Sequence, residues 1–140
     1  MRAPTTVFDS GWDRVGVAAM QWSSFNGSQV EALAQGPSFL AEPRQRDCPA
    51  CGERAVRAYV TTPPAARRPT LVSYAWCAVC RRFVGTRTAR PAGLTFGDPL
   101  AGLSVAERRK VEGSLVGFLT HLNTLWDDGT LPQVFTVTEH

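Results

Sequence analysis

Cys48-Pro49-Ala50-Cys51-Gly52 and Cys77-Ala78-Val79-Cys80, with twenty-five residues between Cys51 and Cys77, decide how this chain is to be read. Residues 55–62 (Ala-Val-Arg-Ala-Tyr-Val-Thr-Thr) are rich in β-formers, and so are residues 70–76 and 82–88. The run 63–69 contains three prolines and cannot continue a central strand, so the chain must turn there. Three short antiparallel strands are the simplest arrangement, with each cysteine pair at a strand end.

Two cysteines separated by two residues fit one tight turn, and two such turns supply four sulfurs to a tetrahedral metal ion. Pro49 stiffens the first turn, and Gly52 can take the backbone conformation that aims amide hydrogens at sulfur. One zinc ion held by Cys48, Cys51, Cys77 and Cys80 is therefore expected. With every position filled by sulfur no place is left for water, so the metal's role is structural. Iron in a rubredoxin-like site, redox-active dithiols and four unrelated core cysteines stay open as alternatives. The first needs a more similar second turn and an aromatic shield, and the second needs a βαβ setting, whereas both pairs here abut strands.

Residues 46–90 resemble the zinc-ribbon group of small β-modules, in which two cysteine knuckles at hairpin ends clamp one zinc ion. The resemblance rests on Cys48-Pro49-Ala50-Cys51-Gly52, on Cys77-Ala78-Val79-Cys80 and on the strand-like sequence between them. It implies a three-stranded antiparallel ribbon. The second knuckle departs from the pattern, because Arg81 stands where glycine is common. Ribbons of this kind serve in nucleic-acid enzymes, in transcription and translation factors and in protein-binding modules, so the resemblance implies no single function.

On the N-terminal side, residues 10–22 have apolar positions 12, 15, 19 and 22 at helical spacing, with Ser10 as cap, while Val15, Val17 and Ala19 also alternate as a strand would; a helix is the reading adopted. Asn26-Gly27 reads as a break, and Ser28 with Glu31 as the capping box of a two-turn helix that stops at Gly36-Pro37. Residues 41–47 read as a connection. On the C-terminal side, Ser104 with Glu107 opens one long amphipathic helix to Trp126, its stripe formed by Val111, Leu115, Phe118, Leu122 and Leu125. Gly113 and Gly117 in its interior suggest close approach of another element. Residues 134–138 read as a short strand. The expected fold class is α+β, with a helical segment over 1–40, a ribbon over 46–90, and a helix and strand over 100–140 that join 1–40 in one compact unit.

Hydrophobic residues make up 44% of the 140 and charged residues 19%, enough apolar material for one core. The N-terminus runs into Asp9 rather than an apolar block, and no run nears the roughly 18 to 20 apolar residues a bilayer span requires. No export signal, no membrane contact and a cytoplasmic location with reduced thiols are expected. Fourteen of the fifteen basic residues are arginine, which base composition alone can produce. Their distribution is more telling: residues 41–90 hold ten arginines against three acids, net +7, while 1–40 are net −1 and 91–140 net −3.

A basic centre with interleaved aromatics suits phosphates and stacked bases. Arg57, Arg67, Arg68, Arg81, Arg82 and Arg87 are the candidate nucleic-acid contacts, and a non-catalytic nucleic-acid-binding or regulatory module is the function expected. The alternative is a zinc-stabilised protein adaptor or an inhibitor of antitoxin type, in which arginine and tryptophan anchor a protein interface. Val72, Tyr74 and Trp76 alternate onto one strand face and are expected to pack on the helix rather than on bases. His121, His140 and the Asp127-Asp128 pair form no catalytic constellation, and no phosphate loop or dinucleotide fingerprint is present, so neither an enzyme nor a small-molecule substrate is expected.

Overall fold

The computed structural model describes residues 6–7, 22–36, 38–63 and 67–138. The helix expected over residues 10–22 lies outside the described residues apart from Trp22. In chain order the elements are β1 (Thr6–Val7), β2 (Ser23–Ser24), α1 (Gly27–Gln35), β3 (Arg46–Asp47), β4 (Arg54–Thr61), β5 (Thr70–Cys77), β6 (Arg82–Ala89), β7 (Leu94–Phe96), α2 (Val105–Glu112), α3 (Leu115–Asp127) and β8 (Phe135–Val137). The fold class is α+β.

The three expected strands form, as β4, β5 and β6, but they are not a free-standing ribbon. They are the centre of a six-stranded mixed sheet in the order β1-β6-β5-β4-β3, with β2 pairing in parallel on β6. β1 and β2 share the outer edge of β6, opposite Thr86 and Arg87 and opposite Arg82 and Phe83 respectively. On the other side Arg46–Asp47, within the stretch expected to be only a connection, adds to β4 as β3. A bare three-stranded ribbon would leave two long unpaired edges; these short strands cover part of both.

β3 is too short to cover all of β4, and a side chain completes the edge. Gln133 Oε1 accepts from Val60 N–H at 2.9 Å, and its Nε2 donates to Val60 C=O at 2.8 Å and Gly97 C=O at 2.7 Å. The amide thus does the work of a strand residue. Gln133 is the one buried polar residue among those described, only 6% exposed.

Because side chains alternate along a strand, β5 serves two cores. Tyr74 and Trp76 face α3, whose Leu115, Phe118, Leu119 and Leu122 meet them together with Tyr59, Phe83, Leu100 and Trp22. The expectation that this face packs on the helix holds for Tyr74 and Trp76. Tyr59 and Tyr74 stack at 6.4 Å, and Phe118 stands edge-on to both. On the opposite face Cys77, Ala75, Val56 and Val84 pack against Val30 and Leu33 of α1 and against Phe25. Farther along that face, Val60 and Leu71 pack on Leu94 of β7, with Phe96 and Phe135 beside them.

Two helix expectations need correction. The cap of α1 is Asn26, not Ser28: its side chain accepts from Gln29 N–H, and the Gln29 side chain returns to the Asn26 amide. Asparagine is at least as good a cap as serine, so the supposed break is the helix start. The long C-terminal helix is two helices. Ser104 and Glu107 form the expected capping box of α2, but Ser114 turns extended (φ −146°) and caps α3 by accepting from Gly117 N–H at 3.0 Å. α2 buries no residue, while α3 buries four. Breaking at Gly113-Ser114 frees the apolar helix to align on the sheet without dragging the polar one into the core. Nor do the two glycines admit another element. A side chain at Gly113 would meet Arg109 C=O and one at Gly117 would meet Ser114 Oγ, both within the local turn.

Gln133→Leu should leave Val60 N–H and the carbonyls of Val60 and Gly97 buried without partners. A loss of about 2–3 kcal/mol in chemical denaturation is expected, with faster amide exchange at Val60.

Candidate metal centre

The β4–β5 pairing sets Val56 opposite Cys77, so the turn leading into β4 and the turn leaving β5 lie at one end of the sheet. The Sγ atoms of Cys48, Cys51, Cys77 and Cys80 lie within 4.8 Å of one another. Cys48 to Cys80 and Cys51 to Cys77 are each 3.7 Å. A tetrahedron with zinc–sulfur bonds near 2.3 Å has sulfur–sulfur edges of about 3.8 Å, which these two pairs match, and the whole set is compact enough to hold one ion. Cys48 and Cys77 are buried, Cys80 is partly buried and Cys51 is exposed, so the centre opens to solvent on one side.

Both turns have the same backbone design. Gly52 N–H bonds Cys48 C=O at 2.8 Å, and Arg81 N–H bonds Cys77 C=O at 3.0 Å. Gly52 has φ +82° and Arg81 φ +60°. Arg81 therefore adopts the left-handed conformation that the second knuckle needs, at a cost of roughly 1–2 kcal/mol that glycine would avoid. Its carbonyl accepts from Ser23 N–H at 3.0 Å, and its guanidinium lies 5.5 Å from the centre of the Trp22 ring, contacts that help hold this backbone. Amides point at the sulfurs: Ala50 N–H at Cys48, and Val79 and Cys80 N–H at Cys77.

In the metal-free protein the thiols are unequal. Burial, together with hydrogen bonds to Cys48 and Cys77, pushes the Cys80 thiol up to about 12. Burial likewise raises Cys77. At Cys48 burial also acts upward, but the amides of Cys51 and Ala50 together with hydrogen bonds from the Cys80 and Cys51 side chains outweigh it and hold the thiol below its usual value. The donor set, the spacing and the amides all suit a thiophilic divalent ion held by four thiolates.

The six arginines named above do not form one surface. Arg57, on β4, is 13% exposed: it donates to Gln45 and Asn123 and pairs with Asp127 at 2.9 Å. It is part of the sheet–helix joint and is not available as a phosphate contact. Arg81 and Arg82 lie beside the second knuckle, and Arg82 donates to Ser24 C=O at 3.3 Å. Arg67 and Arg68 are exposed at the opposite end of the sheet, and Arg87 is exposed on β6. Arg90, not among the six, sits with Arg67 and Arg68. Asp127 and Asp128 diverge, the first to Arg57 and the second to Thr130 N–H, and His121 is partly buried on α3.

Sequence reasoning also missed Asp98. It accepts from Tyr59 OH at 2.6 Å, Thr61 Oγ1 at 2.8 Å and Leu100 N–H at 2.9 Å, which ties the loop before α2 to β4. Asp98-Pro99 reads only as a turn signal, and nothing local marks tertiary partners thirty-seven residues away or more.

Cys51→Ser removes the exposed ligand with little loss of packing. Faster amide exchange is expected around both turns and in the cluster of Phe25, Val56 and Val84, while α3 and its core stay protected. Since Cys77 and Cys80 are protonated at neutral pH without metal and bind as thiolates, metal uptake should release protons. Apparent affinity should fall about tenfold for each unit by which the pH is lowered, per proton released, as competition titrations at several pH values would show.

No helix of the described residues is long and apolar enough to cross a membrane. Comparison with protein-family models, curated proteins and solved structures finds no match for the chain.

Proposed function

We propose that this chain is a non-catalytic binding protein built on one structural zinc ion, and that its exposed arginines contact the phosphates of a nucleic acid. The observation that carries the metal part is the set of 3.7 Å sulfur–sulfur edges among cysteines from two turns of matching backbone. Four sulfur ligands leave no coordination place for substrate, which favours a structural ion over a catalytic one. The ion would join the turns beside β4 and β5 at the end of the sheet where Cys51 and Val79 are exposed.

The nucleic-acid part rests on charge. Arg67 and Arg68, between β4 and β5, and Arg87, on β6, are exposed, and no carboxylate pairs with them among the described residues. Four thiolates around a divalent cation carry two net negative charges, and Arg81 and Arg82 follow the second cysteine pair directly in the chain. The arginines remote from the cysteines are therefore better placed to meet phosphate. Contacts from dispersed arginines on strands and turns, without a recognition helix, suit backbone binding rather than base readout.

The purified protein should hold one zinc ion per chain, measured by metal analysis with native mass determination. A folded, metal-free protein with four reactive thiols would overturn the metal part. Binding to short DNA or RNA strands should depend weakly on sequence and fall steeply with salt as condensed counterions are released. If no strand binds even at low salt, the adaptor alternative replaces the nucleic-acid part, and the same arginines become anchors for an acidic protein surface.

A further inference from the structure

Residues 62–63, 67–70 and 90, at the end of the sheet away from the cysteines, line an open recess of about 350 Å³. It is lined by Thr62, Arg67, Arg68, Thr70 and Arg90 with Pro63 and Pro69, and no carboxylate is among these residues. Three arginines and two threonines thus line one concave surface. The strands are eight residues long, so at roughly 3.3 Å per residue the recess lies about 26 Å from the cysteine turns.

The recess has fixed parts. Arg90 N–H donates to Pro69 C=O at 3.0 Å, joining the turn to the end of β6. The Arg90 guanidinium donates through Nη2 to Leu94 C=O at 2.6 Å and lies 5.4 Å from the centre of the Phe96 ring, so one edge is anchored and the others can donate elsewhere. Thr70 Oγ1 donates to Arg68 C=O at 2.9 Å and fixes the backbone that carries both neighbouring arginines. One arginine tied by its guanidinium, lining the same recess as two exposed ones, is a set that suits a tetrahedral oxyanion, since each arginine can offer paired N–H donors to phosphate oxygens.

We infer that Arg67, Arg68 and Arg90 form a phosphate-binding recess and that its occupant is a phosphodiester of a bound nucleic-acid strand. The inference rests on the nucleic-acid part of the proposed function and locates its principal contact away from the metal centre. Phosphate carried on a free nucleotide has the same chemistry, so the test separates the two sources.

The test uses the full zinc-loaded chain, a fluorescently labelled single-stranded DNA 20-mer followed by anisotropy, and adenosine monophosphate followed by the arginine side-chain NMR signals. Arg67→Ala with Arg68→Ala should weaken oligonucleotide binding at least about tenfold and lower the salt slope by up to about two. Arg81→Ala with Arg82→Ala should change it no more than about twofold. Zinc content should match the wild type in both, thermal unfolding should match it in the Arg67 and Arg68 variant, and Arg67→Lys with Arg68→Lys should restore part of the affinity while keeping the salt slope. If the Arg81 and Arg82 pair carries the loss instead, the recess is overturned and nucleic-acid binding stands. If the wild type binds no oligonucleotide but adenosine monophosphate shifts the Arg90 signal, the strand is overturned as occupant and the nucleic-acid part falls with it. If neither probe binds, both are overturned.

Discussion

The antiparallel register of β4 on β5 is the constraint on which the rest of the molecule depends. Pairing Val56 with Cys77 brings the turn before β4 and the turn after β5 to the same end of the sheet, with their four sulfurs at ligand spacing. A slip of one residue would turn every side chain of one strand to the opposite face. Tyr59 would leave α3, Val56 would leave α1, and the cysteine turns would no longer face each other. The clustering of the four sulfurs and the packing of the two faces therefore select the same register, each making the other easier to satisfy.

A polar joint fixes how α3 lies on that register. Asn123 Oδ1 accepts from Arg57 Nη1 at 2.7 Å and from Trp76 Nε1 at 2.9 Å, and Asp127 pairs with Arg57 one turn later. Apolar contacts hold a helix against a sheet with little preference for small slides along its axis, whereas a shared acceptor tolerates hardly any. Burying Trp76 completely requires a partner for its indole N–H, and Asn123 supplies it. The same joint takes Arg57 out of the exposed basic surface. The remaining arginines then fall into groups at opposite ends of the sheet, so the segment's net +7 is not one binding stripe.

Much of the local structure was legible beforehand. β4, β5 and β6 lie within a residue or so of the runs of β-formers, and the Ser104–Glu107 capping box is present. The failures have physical causes. Asn26 and Ser114 were read as part of a break and of a helix interior, yet both are caps, because a side chain that accepts from the backbone three residues ahead competes well with helix continuation. β3 escaped notice because a two-residue strand has no periodicity; only the neighbouring edge of β4 makes it one.

Ligand type and spacing are properties of a few adjacent residues, and for that reason the sequence by itself determined the four-cysteine centre: two tight turns each offering two sulfurs, joined by strands that can close on each other. Even Arg81, which departs from the glycine expected after the second turn, bends into the same left-handed backbone as Gly52. What each arginine is free to do is a different kind of property. Arg57 and Arg68 look alike in sequence, but one is enclosed by Gln45, Asn123 and Asp127 while the other borders an open recess. Only the tertiary structure decided that, because the partners that desolvate and neutralise a charge come from distant parts of the chain, and their approach is set by packing rather than by local spacing.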